Sequence, residues 1–317
     1  MAEIQVDDII DRRRLRRKLT VWRVVAVVAV LGCITALAAL SLPEQSLGAK
    51  SRPHIAKVRV EGTITEDEQL LEVLEKVAES DAAHGVIIAI DSPGGTVAGG
   101  EAIYEAVREI AAEKPVTAQV GTLAASAGYM VASATDHIVA RQSSIVGSIG
   151  VLVQYPNIKG LLEKLGIDVR AIKSSPLKAE PSFFDDPPPG AEEMLRAMIL
   201  DNYDWFKDIV EERRPLSRAE VDLLADGSVF TGRQALRHKL IDGLGGEAAA
   251  IAWLAEEGID GELDVIEWKK PEPAGGFLLS RIAVEWLGLE ALRAAPVAEI
   301  ADRLLLDGLI SVWQVDY

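Results

Sequence analysis

From His54 onward the chain alternates between two hydrophobic periods. His54 to Val60 alternates apolar and polar positions and Glu61-Gly62 closes the run, which predicts a strand and then a turn. Between Glu66 and Ser80, Leu70, Leu71, Leu74 and Val77 recur at helical spacing. Val86-Ile87-Ile88-Ala89-Ile90 is apolar throughout and mostly β-branched, the pattern of a strand buried on both faces. A Gly-rich turn over Asp91 to Thr96 and a helix over Ala98 to Ala112 follow. The pattern then predicts a strand at Val116–Val120, a helix at Ala127–Ala132 and a strand at Ile138–Ala140. A small-residue turn, Ser143 to Gly150, precedes a helix at Ile158–Leu165 and a strand at Val169–Lys173. Strands alternating with helices predict an α/β domain with largely parallel pairing.

Beyond that point the pattern is helical. Lys178 to Gly190, with Pro187-Pro188-Pro189, reads as a loop, and Ala191 to Glu212 as a long amphipathic helix. Ser217 with Glu220 forms a capping box, and Thr231 caps a helix that ends before Gly243. A helix over Gly246 to Glu257 and a strand over Asp264 to Trp268 come next, and Pro271 to Gly275 breaks the chain. Phe277 to Trp313 carries apolar residues at helical spacing, read as a helical tail that makes oligomer contacts.

The N-terminal pattern differs. A basic block from Arg12 to Lys18 precedes Val24 to Leu42, which is apolar and uncharged and long enough to span a bilayer as a helix. Ala36-Leu37-Ala38 resembles a cleavage site, but the apolar run exceeds a signal-peptide core. The expected organisation is a basic cytoplasmic segment (1–20), a transmembrane helix (21–42), a linker (43–53), a folded domain (54–270) and a tail (271–317). The positive-inside rule sends everything after Pro43 across the membrane, so the expected location is a bacterial-type inner membrane with the domain periplasmic.

Composition narrows the chemistry. Lys and Arg number 33 against 49 Asp and Glu, a net charge of -16, which argues against nucleic acid as a partner. With Cys33 the one cysteine and four scattered histidines, no metal-ligand spacing occurs, and neither metal nor cofactor is expected. Ser126, in Gly121-Thr-Leu-Ala-Ala-Ser-Ala-Gly-Tyr-Met130, sits at a strand-to-helix turn among small residues. Such a turn suits a nucleophile, although the same residues also suit tight helix packing. Gly94 or Gly95, paired with the N–H of Ala127, would polarise a carbonyl facing Ser126. His137, the base of a Ser-His-Asp alternative, is expected to open the next strand at the far end of that helix and to point away. A neutral lysine is the other option. Lys173 and Lys178 flank the turn Ser174-Ser-Pro-Leu177, and composition does not choose between them.

Taken together, Asp91-Ser-Pro-Gly-Gly95, Ala124-Ala-Ser126-Ala-Gly-Tyr129, Gly147-Ser148-Ile-Gly150 and Ile172-Lys-Ser-Ser-Pro-Leu-Lys178 resemble the signal peptide peptidase A (protease IV) family of membrane-bound serine peptidases. Gly227-Ser-Val-Phe-Thr-Gly-Arg-Gln-Ala235 and Leu240-Ile-Asp-Gly-Leu-Gly245 extend the likeness, which covers roughly Ile55 to Leu254. The resemblance implies a Clp-protease/crotonase-like fold of repeated β-β-α units and a Ser-Lys dyad, with Ser126 as nucleophile and Lys178 as base. It places Ser148 where a serine helps hold the lysine, and Gly95 and Ala127 at the oxyanion hole. It implies apolar peptides, such as cleaved signal peptides, as substrates. Relatives with two tandem repeats place Ser and Lys on different repeats. With one repeat, Lys178 of a neighbouring subunit is expected to meet Ser126 in a homo-oligomer. The rival readings are an inactive scaffold that binds membrane-protein segments and a crotonase-like acyl-CoA enzyme, the latter disfavoured by the anchor.

Overall fold

The computed structural model describes residues 22–29, 32, 49–270 and 310–312. The chain divides into two units, Met1–Arg52 and Pro53–Tyr317. In the first, residues 22–29 are helical and exposed. Among the described residues no helix is long and apolar enough to cross a membrane. Most of the expected span, which continues to Leu42, lies outside the described residues, as does most of the expected helical tail.

The second unit is built on one mixed sheet. Its first strands and helices alternate as β1 (His54–Ile64), α1 (Glu68–Ala78), β2 (Ala83–Thr96), α2 (Val97–Ala111), β3 (Val116–Ala125), α3 (Ala127–Ser133) and β4 (His137–Ala140). Then come β5 (Ile145–Gly147), α4 (Lys159–Leu165), α5 (Ala191–Arg213), α6 (Arg218–Leu224), β6 (Val229–Thr231) and α7 (Gly232–Arg237). The last elements are β7 (Gly243–Leu244), α8 (Glu247–Glu256), β8 (Val265–Trp268) and β9 (Ile310–Val312). The main path of the sheet runs β6-β5-β3-β2-β1-β8. The pairings β5–β6 and β2–β9 are antiparallel and the others parallel.

Period two along β2 builds two cores. Val86, Ile88 and Ile90 point into the larger one with residues of α1, α2, α3 and α5. Ile87 points the other way and meets Ile55, Val139 and α8 residues Ala250 and Leu254. The strand is thus buried on both faces, and each fully buried Ile or Val contributes about 1.5–3 kcal/mol. Helix starts follow local chemistry. Ser217–Glu220 and Thr231–Gln234 form the capping boxes at α6 and α7.

Several expectations change. Asp91 to Thr96 is not a turn: it is the continuation of β2, extended through its glycines. Within the predicted turn at Ser143–Gly150, Ile145–Gly147 forms β5, because β3 continues past Val120 and offers it an edge. Val169–Lys173 is not a strand. Its residues suit a sheet, but it lies in an exposed stretch with no ladder partner among the described residues. Ile310–Val312 is a strand, although the surrounding apolar spacing is helical.

A long-range ion pair closes the unit. Arg214, at the end of α5 and 6 % exposed, forms a two-pronged contact with Asp242 at 2.7 and 2.9 Å and donates to the Lys239 carbonyl. Asp242 also accepts from the Ile138 N–H at 2.8 Å. Arg214→Met should lower unfolding stability by about 1.5–3 kcal/mol, since it removes a two-pronged, charge-assisted contact with a carboxylate that is itself partly exposed. Denaturant unfolding checks this, and a loss under about 1 kcal/mol contradicts it.

Candidate active site

Ser126 occupies the joint between β3 and α3. Its backbone is left-handed, φ 57° and ψ -121°, a conformation that costs a non-glycine residue about 1–3 kcal/mol. The surroundings hold it there. The Ser126 N–H donates to the Gly147 carbonyl at 2.8 Å, and its own carbonyl accepts from the N–H groups of Tyr129 and Met130. Helix α3 is buried along its length. A Cβ on Gly128 would lie 2.9 Å from the Ser92 carbonyl oxygen, and one on Gly100 would lie 3.1 Å from the Ala127 Cβ. The small residues therefore pack tightly, and that packing also fixes where the serine stands.

Ser148 is its neighbour. Ala125 pairs with Gly147, so the two serines follow adjacent positions on parallel strands, which lie about 4.8 Å apart. Ser148 is buried, has φ 53°, and donates its N–H to the Ser228 carbonyl at 2.8 Å. Among the described residues, the non-glycine residues with left-handed φ are Ser126, Ser148, Ala179 and Lys239. Two of these are candidate site residues and a third adjoins Lys178. Strain concentrated in this way marks a site whose geometry is imposed rather than relaxed.

The glycine strand runs past the same joint. Between Ile90 and Ser92 the β2–β3 register shifts, and between Glu61 and Thr63 the β1–β2 register shifts. Ser92, fully buried, spans both irregularities. Its hydroxyl donates to the Gly62 carbonyl at 2.6 Å and accepts from the Gly94 N–H at 3.1 Å. Two backbone groups displaced from the ladder are thus paired by one side chain. Gly94, offered by the sequence as an oxyanion donor, has its N–H engaged by Ser92. Gly95 has no room for a side chain, since a Cβ would lie 1.8 Å from the Ile64 carbonyl oxygen. Ser92 was not singled out from the sequence. Its place inside the Asp91-Ser-Pro-Gly-Gly stretch is the only local signal.

The lysines lie elsewhere on the chain. From Val151 to Gly190 no residue is buried. This arm exposes Leu161, Leu165, Ile167, Val169 and Ile172, the last fully. Lys159 pairs with Asp185 and Asp186 at 2.8 and 2.7 Å, tying α4 to the acidic loop. Lys173 is held in an ion pair with Glu180, and its ammonium keeps the Glu180 carboxyl below the usual range. Lys178 is exposed, in the turn that ends at Ala179. Ser126 is buried in the sheet unit while Lys178 is solvent-facing on the arm.

His137 opens β4 opposite Thr117, at the other end of β3 from Ser126. At the usual strand rise that separation is about 30 Å. His137 stacks on Trp253 at 4.9 Å between ring centres. This placement rules it out as the base for Ser126. A cavity of about 370 Å³ between α1 and α2 is lined by Leu71, Glu72, Glu75 and Glu109 and touches none of the candidate residues. Among the described residues no cluster of His, Cys, Asp or Glu is placed to hold a metal ion.

A buried serine on a strained strand-to-helix joint, beside a glycine strand in an α/β sheet, is an arrangement that suits a serine nucleophile. Two family models match the chain: Clp protease over residues 56–146 and peptidase family S49 over residues 108–259. A protein of Synechocystis named "Putative protease slr0021" is 38% identical over 227 residues, 70% of this chain and 82% of that one. An Enterococcus faecium protein named "Putative signal peptide peptidase SppA" is 32% identical over 247 residues, 75% of this chain and 70% of that one. "Protease 4" of Haemophilus influenzae is 30% identical over 262 residues, 75% of this chain and 42% of that protein. The chain belongs to peptidase family S49, the signal peptide peptidase A group of serine proteases, with a Clp-protease-like α/β fold.

Two predictions follow from the geometry. Ser92→Ala should cost about 1–3 kcal/mol of unfolding free energy, because it leaves the buried Gly94 N–H unpaired and frees the exposed Gly62 turn. Chemical denaturation measures it, and a change below about 0.5 kcal/mol contradicts the pairing. His137 has its pKa pushed below the ordinary value, chiefly by burial. The unfolded chain therefore binds this proton more readily, and His137 stabilises the fold above the unfolded pKa of about 6.5 and loses that contribution as pH falls. The drop in melting temperature between pH 7 and 5 should be shallower in His137→Gln, and an unchanged slope contradicts this.

Proposed function

We propose that this chain is a membrane-anchored serine endopeptidase acting through a Ser-Lys dyad, Ser126 and Lys178. The observation that carries the reading is the left-handed, buried Ser126 beside the β2 glycine strand. Membership of family S49 supplies the reaction class.

In this mechanism neutral Lys178 Nζ takes the Ser126 Oγ proton as the oxygen attacks the peptide carbonyl carbon. The oxyanion accepts hydrogen bonds from the N–H groups of Gly95 and Ala127. Gly94 plays no part in this scheme, since its N–H is engaged by Ser92. Collapse breaks the C–N bond, and the Lys178 ammonium protonates the departing amine. Lys178 then takes a proton from water, whose oxygen attacks the ester and releases the acid and Ser126. Ser148 steadies the lysine.

A lysine works as a base only when neutral, and burial is what favours the neutral form. Lys178 is exposed in a single chain. We assign its burial to a neighbouring copy: the apolar side chains of the Val151–Gly190 arm dock there and carry Lys178 to that copy's Ser126. Exposed apolar surface on this scale favours a homo-oligomer. The preferred substrates are apolar peptides such as cleaved signal peptides, and Val24–Leu42 holds the enzyme at the membrane with its peptidase unit periplasmic. No cofactor, metal or nucleic acid enters this reading.

Peptide cleavage by the full chain in detergent tests it. Ser126→Ala and Lys178→Ala should each lower kcat by about 10³-fold or more, with Lys173→Ala near wild type. The wild-type rate should rise from neutral to mildly basic pH. Full activity in Ser126→Ala, or loss confined to Lys173→Ala, overturns the assignment.

A further inference from the structure

The groove between α1 and α2 has an apolar floor and an acidic rim. Its volume is about 370 Å³, and no residue of the Val151–Gly190 arm lines it. Helical spacing along α1 builds the floor. Leu71 and Ala78 stand seven residues apart on one face, above the buried Leu74, and α2 adds Ala106. Leu71, Ala78 and Ala106 pack against the core and are only half-buried. Glu68, Glu72, Glu75 and Glu109 form the rim. Glu72 is paired with Lys76 at 2.7 Å, and among the described residues the other three are in no ion pair. From Leu71 to Ala78 the floor is two helical turns long, about 10 Å.

The arm presents the matching surface. No residue of α4 is buried. Leu161 and Leu165 lie one turn apart on one face, 57 % and 63 % exposed. Lys164 follows Leu161 by three residues, so its ammonium flanks that face. It is exposed and, among the described residues, in no ion pair. Helix α4 is also two turns long, about 10 Å. A leucine pair with a cation beside it thus meets an apolar groove with an anionic rim, alike in length and opposite in charge.

We infer that α4 of one copy seats in the α1–α2 groove of a neighbouring copy. Leu161 and Leu165 cover Leu71 and Ala78, and Lys164 lies at the rim beside Glu75. The inference rests on the reading that the arm carries Lys178 to a neighbour's Ser126, and it names the surface the arm grips. Reach permits both contacts. Helices α1 and α2 start where β1 and β2 end, the end of the sheet at which Ser126 follows β3. The segment from Leu165 to Lys178 spans up to about 45 Å when extended. Burial of the two leucines supplies the affinity, and the charge at the rim sets the register.

Cross-linking of the full chain in detergent tests this, in a Cys33→Ser background. Chains with Glu75→Cys are mixed with chains with Lys164→Cys and oxidised. A disulfide should join the two copies. Glu256→Cys, on α8 across the sheet, should give none with Lys164→Cys. Leu161→Asp should weaken self-association, followed by light scattering, by about tenfold or more. Lys164→Glu and Glu75→Lys should each weaken it about 3- to 5-fold, and the two in one chain should recover most of that loss. No disulfide between copies, or a disulfide formed only within a chain that carries both cysteines, overturns the inference, as does a charge swap without recovery. A disulfide between copies with no cleavage by any form of the chain sustains the groove and defeats the Ser126–Lys178 reading. Peptide cleavage that survives Leu161→Asp, with no disulfide between copies, defeats the groove alone.

Discussion

The hydroxyl of Ser92 holds the place where three strands fall out of step. The β1–β2 and β2–β3 registers both shift beside it, and it pairs the Gly62 carbonyl and the Gly94 N–H that those shifts leave over. Everything chemical lies just beyond this point. One side of β2 stays paired with β1, so Gly95 is pressed against Ile64. The other side loses β3, which turns at Ser126 into α3. Gly128 then brings α3 back against the Ser92 carbonyl. The strained serine and the glycine strand lie where these two register shifts interrupt the sheet.

The rest of the unit makes that irregularity affordable. Core residues on both faces of β2 and the Arg214–Asp242 pair stabilise a frame that tolerates left-handed backbone at Ser126 and Ser148. The Val151–Gly190 arm is the opposite case, with its apolar side chains turned to solvent. A chain that spends its packing on a strained serine while leaving its lysine exposed is, on our reading, half of a site. The second half belongs to a neighbouring copy.

Much of this was legible from local pattern. The two periods located β1, β2, α1, α2, α5 and α8, and capping chemistry located the starts of α6 and α7. Ser126 stood out as the hydroxyl within Ala124-Ala-Ser-Ala-Gly128. What local pattern hid has physical causes. Asp91 to Thr96 carries Pro and two glycines, strong turn signals, yet flanking strands hold it extended. Val169–Lys173 has strand composition, but the chain brings no partner to it. Ile310–Val312 sits in a helical pattern and becomes a strand only because an edge is open elsewhere. The role of Ser92 and the closure by Arg214 depend on residues far away in sequence, which no period records. The choice of Lys178 over Lys173 rests on family likeness; Lys173 itself is held in an ion pair with Glu180.

The central claim is that one chain's serine works with another chain's lysine. Mixing the inactive Ser126→Ala and Lys178→Ala chains tests it most directly, with subunit exchange verified by labelled chains. In a head-to-tail ring mixed in equal parts, about a quarter of sites pair an intact Ser126 with an intact Lys178, so activity should recover to that order. Exchange without any activity above that of either variant alone would contradict the claim.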